Sequence, residues 1–328
     1  MAERIRVIGG EEIRRAITMR ETVALMRDAF AQISSGRPVV PQRLSIEMPE
    51  HEGRALVMPV YSPDQAQLGL KLVTLFKRNP EAGLPYIHAM VMLMDATDGR
   101  PLALMDGEYL TALRTGAASG LATELLARRE SSTVIIIGAG AQGRFQLEGI
   151  CAARGIRRAF VCDRNADRAE RFRREMSPRM GCEIIPTTDT GVAREADIVC
   201  TATTSTAPVF RDDDIRPGTH INAIGAYRPE MRELPAETIL RATVVVDSRD
   251  SCLVEAGDLI AALAGAPRSV RGEIAELGEV ATGIRAGRSS PEEITVFKSV
   301  GNAVQDLVTA RRVLLNAERE SLGTVVAL

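Results

Sequence analysis

Thr133-Val134-Ile135-Ile136-Ile137 reads as a buried strand, and it runs directly into Gly138-Ala139-Gly140-Ala141-Gln142-Gly143. Glycine is wanted first for the tight turn, second for close approach of backbone to a pyrophosphate, and third for helix-strand packing. The phosphate then sits on the N-terminus of the following helix, for which Arg144 to Ala153 has the pattern. A second strand, Ala159-Phe160-Val161-Cys162, ends at Asp163, 20 residues after Gly143, where an acid meets a ribose hydroxyl. The chemistry implied is that of a bound dinucleotide; the alternative is an α/β unit whose glycine-rich turn holds no ligand. Asp163 would repel a ribose 2′-phosphate and favours NAD(H), while the adjacent Arg164 offers that phosphate a contact and leaves NADP(H) open.

Three basic residues stand in unusual company. Lys71 interrupts the apolar strand Leu68-Gly69-Leu70-Lys71-Leu72-Val73-Thr74-Leu75-Phe76 and shares a face with Gly69, Val73 and Leu75. Such an ammonium must find an anion, have its pKa lowered by burial, or escape to water at a sheet edge. The first two suit an acid catalyst or a carboxylate ligand, and the third is a solvated lysine on an edge strand. Arg114 lies among small residues in Leu110-Thr111-Ala112-Leu113-Arg114-Thr115-Gly116-Ala117-Ala118-Ser119-Gly120, where its planar fork can meet a carboxylate, a phosphate or a structural acid. Arg43, opening a strand after Pro41, has the same alternatives.

The elements that carry these groups fall into two patterns. Thr18-Met19-Arg20-Glu21 is a capping box for an amphipathic helix with Val23, Met26, Ala29, Phe30 and Ile33 at helical spacing, stopped at Gly36. Strands are then predicted over 43–48, 55–60, 68–76, 88–95 and 101–105, which suggests an antiparallel or mixed sheet. A helix follows over 108–127. From Thr133 onward strands and helices alternate, with strands predicted over 133–137, 159–162, 183–185, 197–202, 219–224 and 243–246, the signature of a parallel sheet covered on both faces. A last helix, predicted over 299–320, carries Val300, Val304, Leu307, Val308, Arg311 and Leu315, and its return onto the first domain would make that domain discontinuous.

Composition excludes several function classes. The 328 residues suggest about two domains, and 41 basic against 43 acidic residues leave a net charge of −2, no footprint for nucleic acid or anionic membrane. No apolar run approaches the ~18 residues of a membrane span, and Met1-Ala2-Glu3-Arg4-Ile5-Arg6 lacks a signal-peptide core, so a cytoplasmic location is expected. The five cysteines (Cys151, Cys162, Cys182, Cys200, Cys252) are scattered, and His51, His88 and His220 are isolated, so no metal is expected.

The chain resembles the ornithine cyclodeaminase and mu-crystallin family from its first helix to its last. The resemblance rests on Gly69-Leu70-Lys71, Thr111-Ala112-Leu113-Arg114-Thr115 with Ala117-Ala118-Ser119, Gly138 to Gly143, His220-Ile221-Asn222-Ala223-Ile224-Gly225, and Phe297-Lys298-Ser299-Val300-Gly301. It implies an α/β fold in which a Rossmann doubly wound parallel sheet (116–304) joins a discontinuous α+β substrate and dimerisation domain (1–115 and 305–328). It also implies a homodimer whose NAD(P)-linked chemistry interconverts amino acids and imines. Carried over by position, Arg43, Lys71 and Arg114 would surround the substrate carboxylate and the reacting C–N bond, with Arg114 also a cofactor contact. Gly138, Gly140, Ala141, Gln142, Gly143, Asp163 and Arg164 would hold the dinucleotide, Thr203, Ile224 and Gly225 would lie near the nicotinamide, and Ser299 would close the site.

One departure bears on the reaction. Cyclodeaminases place an amine-handling aspartate where this chain has Tyr227, and a lysine where it has Met231. A phenol with a pKa near 10 is a poor substitute for a carboxylate that pairs with an ammonium. The chain therefore resembles the ketimine-reductase branch, which reduces cyclic imines such as Δ1-pyrroline-2-carboxylate or Δ1-piperideine-2-carboxylate. An alanine-type dehydrogenase, an ornithine cyclodeaminase and a dinucleotide-dependent binding protein are the alternatives.

Overall fold

The computed structural model describes residues 4–264 and 274–327. Contacts divide the chain into two units, 1–114 with 302–328 and 115–301.

The first unit holds strands β1 (Arg4–Ile8), β2 (Leu44–Met48), β3 (Gly53–Ser62), β4 (Gln67–Phe76), β5 (Ile87–Asp95) and β6 (Pro101–Asp106). With a terminal strand, Thr324–Ala327, they form a sheet in the order terminal strand, β1, β6, β5, β4, β3, β2. It is mixed: β1 runs parallel to β6 and every other pair is antiparallel. The unit also holds α1 (Gly10–Ala16) and α2 (Met19–Ser35). Thr18 caps α2 by accepting from the Glu21 amide, and Gly36 ends it at φ 67°, a left-handed conformation that suits glycine.

Register decides the use of each sheet face. Met58, Lys71 and Val91 stand abreast, as do Val60, Gly69 and Leu93, on the face packed against the C-terminal helix Ala303–Arg319. A Cβ on Gly69 would stand 2.8 Å from Leu307 Cδ1, so the missing side chain lets the helix settle onto the sheet beside Lys71. The opposite face presents Leu44, Val57, Leu72 and Met90 in register, with Leu44 58% and Met90 49% exposed.

The helix α3 (Gly107–Leu126) contains the division between units, which falls after Arg114. The second unit is a sheet of β7 (Thr133–Ile137), β8 (Arg158–Cys162), β9 (Glu183–Thr187), β10 (Ile198–Thr201), β11 (His220–Ala223), β12 (Thr243–Val246), β13 (Ala275–Glu276) and β14 (Thr295–Lys298). All its pairs are parallel, in the order β13, β12, β14, β11, β10, β7, β8, β9. Counted from β7, the run β9, β8, β7, β10, β11 follows the doubly wound order 3-2-1-4-5, with β14 standing next in place of a sixth strand and the switch point between β7 and β10. Ile135 and Ile137 join one hydrophobic cluster and Val134 and Ile136 another, so the strand is apolar throughout because both faces are buried. Among the described residues no helix is long and apolar enough to cross a membrane.

The reading of a helix from Ser299 is corrected. Residues 295–298 form β14, Gly301 turns at φ 81°, and the helix starts at Ala303 after Asn302, which caps it reciprocally with Gln305. The hydrophobic run was continuous across a strand, a turn and a helix, and only the Asn302 cap marks the true start.

Helix α4 (Ala141–Ala153) approaches the second half of α3 so closely that a Cβ on Gly149 would overlap the Gly116 carbonyl oxygen. Gly149→Ala is expected to cost about 3 kcal/mol in chemical denaturation, because rigid backbone must move to admit it. Unchanged stability would contradict this packing.

Candidate active site

Within the first unit, Lys71 lies on β4, an interior strand, and is 3% exposed. The edge-strand reading is therefore excluded, since no sheet edge offers its ammonium a path to water. Its Nζ instead donates to Asp306 Oδ2 at 2.6 Å, from the C-terminal helix. Arg114 Nε donates to the other oxygen, Asp306 Oδ1, at 2.9 Å, and its Nη1 to Gln305 Oε1 at 2.6 Å. One buried carboxylate thus holds two cations, and Arg114 keeps Nη2 beyond these bonds. Met58, Val60, Gly69, Val91 and Leu307 line the small cleft that Lys71 and Asp306 share.

The charges do not cancel. Burial and then the like charge of Arg114 lower the Lys71 ammonium to about 8, against the opposing pull of Asp306, and Arg43 adds to the lowering. Burial would raise the Asp306 carboxyl, but Arg114 and Lys71 together hold it below the usual carboxylate range. The arrangement can keep a proton poised near neutral pH beside a planar donor suited to a carboxylate. Arg43 is half-buried and joins this group through its field on Lys71.

Within the second unit, the glycine-rich turn separates two kinds of glycine. Gly138 turns at φ 112°, where a Cβ would also press on the Ala202 carbonyl, and a Cβ on Gly143 would overlap the Gly138 carbonyl oxygen. Folding explains both. Gly140 does not need its freedom: it has φ −82°, and a Cβ there would meet nothing nearer than Arg168 at 4.0 Å. Space kept open at the N-cap of α4, ahead of Ala141, fits the close approach of a pyrophosphate. Gln142 Oε1 is buried there with no hydrogen-bond partner among the described residues. Asp163 Oδ2 accepts from the Ala139 amide at 3.1 Å and Oδ1 from the Asn165 amide at 3.0 Å, which fixes the turn to the end of β8. Arg164 is exposed beside it. These residues fit a dinucleotide by turn shape, open N-terminus and ribose acid.

The other expected cofactor residues lie at strand ends of the same sheet. The Thr203 amide and hydroxyl both donate to Glu233, as does the Gly225 amide, and the Ile224 amide donates to the Thr201 carbonyl. Ser299 is buried and donates to Asp247 Oδ2 at 2.7 Å. Tyr227 packs against the hydrophobic cluster of the sheet. His220 is buried between Thr295 and Asn222, and burial lowers its pKa to about 3, a neutral structural role. His88 is exposed on β5.

Sequence reasoning missed Asp306, Gln305, Glu233, Asp247 and Asp258. Asp306 adjoins Leu307 in the last helix and was available as the anion that Lys71 required. No group of three or more metal-ligating side chains occurs among the described residues.

Comparison with known proteins adds four likenesses. The model of the ornithine cyclodeaminase/mu-crystallin family matches residues 6–321. A Δ1-pyrroline-2-carboxylate reductase from Bacillus cereus is 38% identical over 322 residues, 98% of this chain and 99% of that protein. The solved structure of Thermococcus litoralis Δ1-pyrroline-2-carboxylate reductase in complex with NADH and L-proline superimposes with a TM-score of 0.92 at 40% identity, covering 98% of this chain and 99% of the other. An archaeal alanine dehydrogenase dimer with bound NAD gives a TM-score of 0.89 at 33% identity, covering 99% of each chain.

Removing Asp306 leaves two buried cations without their anion. Asp306→Ala is expected to lose about 3–5 kcal/mol in urea denaturation at neutral pH, and a loss under about 1 kcal/mol would contradict the bridging role. Because the folded-state pKa of Asp306 lies below that of the unfolded chain, its stabilisation is present above the ordinary aspartate value near 3.9 and is lost as pH falls through the folded-state value.

Proposed function

The chain belongs to the ornithine cyclodeaminase/mu-crystallin family, and we propose that it reduces the C=N bond of a cyclic imino acid, Δ1-pyrroline-2-carboxylate or Δ1-piperideine-2-carboxylate, to an L-amino acid such as L-proline. The observation that carries this reading is the buried Lys71–Asp306–Arg114 constellation. Imine reduction needs a hydride at carbon, a proton at nitrogen and a clamp on the carboxylate. Lys71, with a pKa lowered to about 8, is protonated at neutral pH yet acidic enough to give up that proton. Arg114, with Arg43 beside the group, is the clamp. Asp306 orients Lys71 and keeps it charged.

A nicotinamide dinucleotide on Gly138, Gly140, Ala141, Gln142 and Gly143 would supply the hydride. Asp163 supports NAD(H) over NADP(H), since its carboxylate repels a 2′-phosphate at the ribose end of the site; exposed Arg164 supports the opposite choice less directly. Tyr227 supports reduction over ornithine cyclisation, because a half-buried phenol leaning on the core offers no carboxylate to a substrate ammonium. The likeness to an alanine dehydrogenase keeps reductive amination of an acyclic 2-oxo acid as the second reading. We further read the row of Leu44, Val57, Leu72 and Met90, exposed at its two ends and half-buried between them, as the seat of a second copy in a homodimer.

The test is oxidation of NADH and of NADPH with each cyclic imine, beside pyruvate with ammonia, and ornithine with NAD. Turnover of a cyclic imine, faster with NADH, is expected; activity confined to pyruvate with ammonia would favour the second reading, and activity confined to ornithine would refute the argument from Tyr227. Lys71→Ala should lower kcat by about 10²–10⁴-fold, the usual contribution of a general acid, while cofactor still binds. Wild-type kcat should fall as pH rises through about 8, where Lys71 loses its proton. Undiminished turnover in that variant would remove Lys71 from the chemistry.

A further inference from the structure

Glu233 is 0% exposed in the second unit, and its carboxylate accepts five hydrogen bonds. Oε1 takes the Thr203 amide at 2.6 Å and the Thr203 hydroxyl at 2.8 Å. Oε2 takes the Thr201 hydroxyl at 3.0 Å, the Gly225 amide at 2.7 Å and the Ala226 amide at 3.1 Å. These donors come from the carboxyl ends of β10 and β11, where open α/β sheets bind their ligands. A Cβ on Gly225 would overlap both the Thr203 carbonyl oxygen and Glu233, so the two segments and the acid pack without slack.

The acid is itself anchored. The Glu233 and Leu234 amides donate to Asp258 Oδ1 at 2.6 and 3.0 Å, and Asp258 pairs with Lys298 at 3.0 Å, both fully buried. Burial and the like charge of Asp258 raise the Glu233 pKa, opposed by Lys298 and the Thr203 hydrogen bonds. Keeping such a group ionised is costly, and the three main-chain amides of Thr203, Gly225 and Ala226 that it satisfies offset part of that cost. It also supplies direction. With its proton committed to Glu233 and one lone pair taken by the Ser205 amide at 3.2 Å, Thr203 Oγ1 has one acceptor lone pair remaining.

We propose that Glu233 is a positioning residue for cofactor recognition: it turns the Thr203 hydroxyl into an obligate acceptor that takes a hydrogen bond from the carboxamide N–H of the nicotinamide ring. The inference deepens the dinucleotide reading of Thr203, Ile224 and Gly225 and rests on it. It assigns Glu233 no contact with substrate and no proton transfer. A pocket ordered this way selects for a donor on the ring substituent, so it distinguishes a carboxamide from an acetyl group of nearly the same shape.

The experiment uses the full-length protein and fluorescence titration with NADH and with the 3-acetylpyridine analogue of NADH, alone and with a cyclic imine. Wild type should bind NADH about fivefold or more tightly than the analogue, the worth of one hydrogen bond. Thr203→Val should bring the two within about twofold, and Glu233→Gln should do the same by freeing the Thr203 hydroxyl to donate, with the loss appearing in KM for NADH more than in kcat. Glu233→Asp should restore part of the preference. If Glu233→Gln fails to fold, Thr203→Val decides: a retained preference for NADH overturns the proposal. A folded Glu233→Gln protein with unchanged preference also overturns it. Absence of NADH and NADPH binding in the wild type would instead sink the dinucleotide reading itself.

Discussion

A carboxylate shared between two buried cations governs the first unit. Lys71 and Arg114 come from a strand and a helix distant in sequence from Asp306, and neither could be buried without it. An isolated ammonium taken out of water costs several kcal/mol, and the strand β4 gives Lys71 no route back to solvent. Gly69 admits the C-terminal helix against the sheet, the Asn302–Gln305 cap starts that helix one turn before the acid, and Gln305 then steadies Arg114. Burial, and then the like charge of Arg114, lowers the lysine pKa against the pull of Asp306. Packing and chemistry here have one cause.

The second unit uses the same device for backbone. Asp163, Glu233 and Asp247 each accept from main-chain amides at the ends of strands, and Asp258 accepts from the Glu233 and Leu234 amides in the connection after β11. Parallel strands end in loops whose N–H groups have no ladder partner, and a buried carboxylate satisfies several at once. Asp247 alone binds the amides of Ser248, Val300 and Gly301 and the hydroxyl of Ser299. The ligand-facing loops of this sheet are therefore held by fixed charges, which favours preorganisation over adjustment on binding.

Much of this was legible in the sequence because it depends on local pattern. The central strands β3 to β8, the Thr18 cap and the glycine-rich turn all follow from period, punctuation and turn chemistry within a few residues. Lys71 was conspicuous because a charge in an apolar strand contradicts its surroundings. Its answer was not legible. Asp306 sits at an ordinary polar position of an amphipathic helix, and only the fold turns that position toward β4. Glu233 was hidden likewise, in a segment with five other charged residues, Arg228, Glu230, Arg232, Glu237 and Arg241, where no local pattern sets one acid apart. The short strands β1 and β13 and the terminal strand exist through pairing partners far away in the chain, so no local pattern announces them.

The central claim is that burial beside Arg114 makes Lys71 an acid effective near neutral pH. The most direct measurement is an NMR titration of the Lys71 side chain, labelled at Cε, in the wild-type protein without substrate. The account predicts a transition at about 8. A transition near 10.4, the ordinary lysine value, would show the ammonium to be a structural ion-pair partner and would contradict the account.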